Sequence, residues 1–186
     1  VRLAIDPGKR AVGCALRQEM GERIVRAELV EGADRIFADG PEVWRRTAEA
    51  VRAWVIGLGF SVGQIEEVAF ERPGAYGEDM PSRTLNLQDL IAVCAWVCAL
   101  FPGARHRQFF PNEWEGALKR PKDWREPDPV ILRIQGRLSP EELSRVILPA
   151  PSRAHNVWDS VGISLKAAGR FERTRYYGRG LKHATP

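Results

Sequence analysis

The residues best suited to chemistry in this sequence are Asp6, Glu71, His155 and Asp159. Asp6 closes a short strand-like stretch, residues 2–5, and Pro7-Gly8 follows at once as a turn signal. Glu71 closes a second run, residues 66–70, just ahead of Pro73 and Gly74. An acid at the end of an apolar strand stands at a sheet edge, where ligands meet loops. Asp159 falls in a helical stretch among Val157, Trp158, Val161 and Ile163, where an uncompensated carboxylate is costly. His155 precedes it by four residues, which puts both on one helix face with Cβ atoms about 5–6 Å apart. A divalent cation shared among the acids would offset the cost. Mg²⁺ prefers such oxygen donors. A pair of ions can activate water and stabilise the leaving oxygen in phosphodiester hydrolysis. Each residue alone has a plainer reading: turn acid, strand-end acid, surface or capping histidine, salt-bridged helix acid. The coincidence of acids in three such positions is the signal.

The elements that must position these groups follow from periodicity. Strands are expected over residues 2–5, 11–16 and 23–30, with a turn at 19–22. Val43, Trp44, Ala48, Val51, Trp54 and Val55 recur at helical steps over 41–58, and Gly57 and Gly59 close that helix. A fourth strand covers 66–70. A helix over 85–101 is capped by Ser82 and stopped by Pro102-Gly103, and a fifth strand covers 105–110. A short helix over 111–118, an exposed basic loop over 119–127, and helices opened by Asp128-Pro129 and Ser139-Pro140 come next. Ser152 is expected to cap the last helix, which runs to residue 168. Three strands, helix, strand, helix, strand, helices is the element order of an RNase H-like domain, though many α/β folds begin in the same way; the expectation is an α/β domain of the RNase H-like fold, a mixed five-stranded sheet flanked by helices. The domain is expected over residues 1–170, with a basic tail over 171–186.

A chain of 186 residues fits one domain, and its 44% hydrophobic content supports a sizeable core. The formal charge of +4 permits nucleic-acid binding without demanding it. No run of eighteen apolar residues argues for a membrane span. The chain opens directly on a strand-like stretch, so a cytoplasmic location is expected. Cys14, Cys94 and Cys98 make no disulfide framework and are expected as reduced thiols.

Leu3-Ala4-Ile5-Asp6-Pro7-Gly8-Lys9-Arg10 with Val12-Gly13 resembles the opening motif of the RuvC family of Holliday junction resolvases. Val68-Ala69-Phe70-Glu71 with Pro73 is similar to the second acidic motif of that family. The segment from His155 through Asp159 to Ile163 is similar to its last. The likeness spans residues 1 to 170. The His155-Asn156 form and Pro111-Asn112-Glu113-Trp114 look closer to phage RuvC-like proteins. The resemblance implies a metal-dependent endonuclease that nicks four-way DNA junctions symmetrically as a homodimer. Asp6, Glu71 and Asp159 would be metal ligands for two Mg²⁺ or Mn²⁺ ions. The family's fourth residue often lies three before the last acid, a place held here by Asn156. His155 lies four before and is the better candidate, as ligand or proton-transfer group. The helix over 85–101 would form the dimer face.

Lys9, Arg10, Arg72, Arg83, Lys119, Arg120 and Lys122 fall in loops or helix starts near the expected site, where cations would neutralise phosphates. The resemblance also implies that Tyr76, in the loop after Glu71, stacks on a base at the junction centre. Three other readings compete. A broader structure-selective nuclease of branched DNA or RNA would share fold and metals. A nucleotide-binding protein of the actin and sugar-kinase type would need a second domain and further Gly-rich loops. A junction binder without catalysis would have no use for the full set of acids.

Overall fold

The computed structural model describes residues 1–18, 23–32, 40–72, 81–116, 118–121, 123 and 125–171. For residues 81–86 and 112 only the backbone is described. Five strands build one sheet: β1 (Arg2–Asp6), β2 (Ala11–Gln18), β3 (Arg23–Glu31), β4 (Glu67–Glu71) and β5 (Arg105–Phe109). Their spatial order is β3-β2-β1-β4-β5. The first three form an antiparallel meander, while β4 runs parallel to β1 and β5 parallel to β4. Parallel neighbours need crossovers, and α1 (Pro41–Gly57) and α2 (Pro81–Leu100) supply them.

Strand alternation sorts the side chains into two cores. Leu3, Ile5, Val12, Cys14, Leu16, Val68 and Phe70 face α1 and α2, and pack on Val51, Val55, Val93, Val97 and Phe101. Ala4, Ala15, Ala69 and Phe109 face the other way, against α6 (Ala154–Ala167). On that side the chain adds α3 (Pro111–Trp114), α4 (Pro129–Gln135) and α5 (Pro140–Leu143). α6 lies between the sheet and α3–α4, so Val157, Trp158, Val161, Ile163 and Leu165 are all buried and the helix is apolar around most of its girth. Phe171 is buried in the same core.

Local chemistry explains most boundaries. Asp128 caps α4, with Oδ1 accepting from the Val130 amide at 2.8 Å, and Ser139 caps α5 in the same manner. Two expected caps are corrected. Ser152 sits inside a 3₁₀ turn, Pro151–Arg153, and Arg153 immediately precedes α6 without a side-chain cap. α2 starts at Pro81, so Ser82 is inside the helix; proline is favoured in a first turn, where its missing N–H costs nothing. β2 runs on to Gln18, α3 stops at Trp114, and β5 ends at Phe109. Cys14, Cys94 and Cys98 are free thiols. Burial pushes Cys94 well up and Cys98 to about 11, so both stay protonated at neutral pH. No helix of the described residues is long and apolar enough to cross a membrane.

Candidate active site

β1 and β4 are in register, with Ala4 opposite Ala69 and Ile5 opposite Phe70. Asp6 and Glu71 are the next residues on each strand, so they end side by side at the carboxyl edge. The alternation that turns Ala4 and Ala69 toward α6 turns Asp6 and Glu71 there too. Asp159, 9% exposed, is on the helix that packs on this face. Three acids far apart in sequence are therefore brought to the same end of the sheet.

The close approach depends on Gly13, the β2 partner of Asp6. A Cβ there would stand 2.0 Å from the Asn156 carbonyl oxygen, so only glycine lets the first turn of α6 come down onto the strand. Gly162 serves the helix's other side: a Cβ would meet the Trp114 ring at 2.6 Å. Trp114 is fully buried, and its indole nitrogen has no hydrogen-bond partner. That N–H faces the Glu71 carboxyl without conventional hydrogen-bond geometry, and still favours its charged form.

Two further acids, Glu115 and Asp128, surround the site; neither stands out in the sequence as a site residue. Both meet Asp159 through Arg120. Its Nη2 donates to Asp159 Oδ1 at 2.5 Å, its Nε to Glu115 Oε1 at 2.8 Å, and its Nη1 to Asp128 Oδ2 at 3.4 Å. The guanidinium also lies 5.7 Å from the Trp114 ring centroid. The sequence suggests Arg120 as one cation of an exposed, DNA-facing loop; the structure turns it inward to pair with these acids.

The electrostatics are those of too much negative charge in too little water. Burial raises Asp6 well above the usual carboxylate range, and Asp159 and Glu71 raise it further, while Arg120 pulls it down. Glu71 is pushed up to about 7, first by burial and then by Asp159 and Glu115. Asp159 also reaches about 7: burial outweighs the ion pair with Arg120. Such a donor set fits a divalent cation, which would favour the ionised form of every one of these acids. As they stand, no three His, Cys, Asp or Glu side chains among the described residues converge closely enough to hold an ion.

His155 stands at the exposed rim, not deep in the acid cluster. With Arg120, Asp128, Ile131, Leu148 and Pro151 it lines an adjoining cleft of about 630 Å³. Lost hydration along its shielded edge, then Arg120, hold it below the usual histidine value; Asp128 and the Ser152 backbone pull it up. Of the expected DNA contacts, Lys119 and Arg72 are exposed, and Arg72 stacks 5.0 Å from the Phe110 ring centroid. Lys9 is 3.6 Å from Asp89 of α2, which also accepts from the Trp44 indole at 3.0 Å; it is tethered at the base of the Asp6 turn. Arg10 is half-buried, and its backbone carbonyl accepts from Gly32 at 2.8 Å. Tyr76 and Lys122 lie outside the described residues, as does the Arg83 side chain.

Sheet order and helix placement define the class: an α/β domain of the RNase H-like fold, as expected from element order. Two solved structures from Thermus thermophilus share it. One, RuvC in complex with a Holliday junction substrate, matches with a TM-score of 0.57 at 19% identity, over 90% of this chain and 91% of that one. The other, a RuvC structure, gives a TM-score of 0.54 at 19% identity, over 90% and 92%. No family model and no curated protein matches the sequence.

Proposed function

We propose that this protein is a metal-dependent endonuclease that resolves four-way DNA junctions as a homodimer. The observation that carries the reading is the meeting of Asp6, Glu71 and Asp159 at the carboxyl edge of β1 and β4, with Glu71 and Asp159 raised by burial and crowding. Acids with a surplus of charge and a deficit of water are what a divalent cation compensates. The fold likeness to a RuvC held on a Holliday junction substrate supports the choice of nucleic acid.

Asp6, Glu71 and Asp159 would hold two Mg²⁺ or Mn²⁺ ions, with His155 at the rim. The ions, when bound, supply an activated water and charge neutralisation at the scissile phosphate. Around them the chain's own groups have separate tasks. The strand ends and α6 fix the carboxylates on rigid elements. Trp114 and the α6 core exclude water behind them. His155, held below its usual value by lost hydration and Arg120, would accept a proton at an imidazole nitrogen. Lys119 and Arg72, both exposed, would neutralise phosphates beside the site, and the reading assigns the same task to Lys9, Arg10, Arg83 and Lys122 and base stacking to Tyr76.

Symmetric nicking needs two sites at fixed separation, which a two-fold dimer supplies. α2 offers the surface. Its inner side buries Val93 and Val97, while Ile91, Ala95 and Cys98 line an outer cleft of about 390 Å³ with His106 and Gln108 of β5. Ile91 is 51% exposed, an apolar side chain that a second subunit would cover.

The test is a labelled synthetic four-way junction incubated with Mg²⁺, Mn²⁺ or EDTA, beside linear duplex, flap and RNA/DNA hybrid. Paired metal-dependent nicks near the branch, with little cutting of duplex, are expected. Equal cutting of flaps and junctions would make it a broader structure-selective nuclease. Tight binding without cutting would leave a junction-binding protein and overturn the catalytic reading.

A further inference from the structure

The group nearest to a cation ligand in the acidic cluster is itself part of the chain. Arg120 reaches Asp159, Glu115 and Asp128 at once, from three different elements or their flanks, and no motif of the sequence assigns it a role there. Its side chain is 25% exposed, and the carboxylates it pairs with are 13–23% exposed, so the charges interact with little screening. We propose that Arg120 is the resident cation of this site, a tethered counter-ion that a divalent metal must displace from Asp159 before the carboxylates can gather as ligands. The inference rests on the metal-nuclease reading above and deepens it.

Three observations converge on the exchange. First, Asp159 has one of its oxygens engaged by the guanidinium, so a metal and Arg120 compete for the same donor. Second, as they stand no three His, Cys, Asp or Glu side chains among the described residues are placed to hold an ion, whereas Arg120 already bridges three of the acids. Third, Arg120 has somewhere to go: it lines the cleft of about 630 Å³ beyond His155, whose wall is otherwise largely Ile131, Leu148 and prolines. The guanidinium carries one positive charge and its five donors can bridge several carboxylates, but it cannot activate water. A compact divalent ion carries twice the charge and can. The chain thus holds the acid cluster together before metal arrives, at the cost of some metal affinity.

The experiment is titration of the full chain with Mn²⁺ by calorimetry, for wild type and Arg120→Met, at matched pH and ionic strength. The variant, freed of the competing cation, is expected to bind Mn²⁺ about ten-fold or more tightly. Its melting temperature in EDTA should fall and be recovered by Mn²⁺. Equal or weaker Mn²⁺ binding by Arg120→Met would overturn the inference, because Arg120 would then stay in place or help hold the ion. No Mn²⁺ binding by either protein would remove the metal-nuclease reading itself. If Arg120→Met fails to fold, the wild-type protein still decides the matter. The Arg120 Nε–H signal, seen by nitrogen-15 NMR, should exchange slowly in EDTA and quickly with Mg²⁺ bound; slow exchange in both would overturn the proposal.

Discussion

The backbone oxygen of Asn156 lies 2.0 Å from the point where a Cβ on Gly13 would stand. Gly13 pairs with Asp6, and Asn156 lies in the first turn of the helix that carries Asp159, so this approach sets how near two of the acids come. Gly13→Ala should push α6 off the sheet and cost about 1–3 kcal/mol or more, as overpacking against backbone does. Urea unfolding checks this, with Gly63→Ala as control, since a Cβ at Gly63 meets nothing within 4 Å. If alanine at position 13 were tolerated as easily as at 63, the helix would not be seated by this glycine.

Asp6→Asn keeps the size of the side chain and removes a charge that burial already strains. Junction nicking should fall by more than about 100-fold, since even groups that only support a metal ligand cost 10–100-fold. Junction binding in EDTA should hold or tighten, because the substitution adds no negative charge to the edge that would meet DNA. Gel-shift and cleavage assays on the same preparation separate the two. Retained nicking would take Asp6 out of the mechanism.

The motif acids are legible in the sequence because each marks an element boundary or an anomaly: an apolar strand ends at Asp6 and at Glu71, and α6 carries its acid amid apolar residues. The element order follows from the same boundaries. Glu115 is not legible. It follows a four-residue helix with no periodic neighbours, and its relevance depends on where residues 118–121 fold back. Asp128 reads as a helix opener, which it is through Oδ1, while Oδ2 meets Arg120. Arg120 sits between Lys119 and Pro121 in a stretch whose composition says only polar loop, and composition cannot tell which cation turns inward. Ser152 misleads because a Ser before an apolar run also suits a 3₁₀ turn.

Stability in EDTA should depend on pH in a direction opposite to that of ordinary ion-paired acids. Glu71 and Asp159 reach about 7 when folded, against roughly 4.3 and 3.9 for unfolded carboxylates. Between those values the folded state binds more protons, so these groups make stability fall as pH rises from about 5 to 7. His155, held low, pulls the other way over part of that window. The quantity to read is therefore the difference between wild type and Glu71→Gln. Urea midpoints at about pH 5.5 and pH 8 should drop more for wild type than for the variant. A variant that loses as much as wild type would mean that Glu71 titrates normally.

Lys119 and Arg120 are neighbours with opposite fates: one is exposed, the other is tied into the acid cluster. If the exposed surface beside the site meets DNA, Lys119→Ala should weaken junction and duplex binding alike. It should also lower the salt slope of log Kd by about 1, as expected when one fewer phosphate is neutralised. Arg72→Ala should do the same, and it also removes the stack on Phe110. Neither change should alter the ratio of junction to duplex affinity, because pairing with a phosphate carries no shape or sequence information. Fluorescence anisotropy across a range of salt concentrations in EDTA reads both slope and ratio. An unchanged slope for both variants would move the DNA path away from this side of the sheet. A changed ratio would make one of these residues a reader of the branch itself.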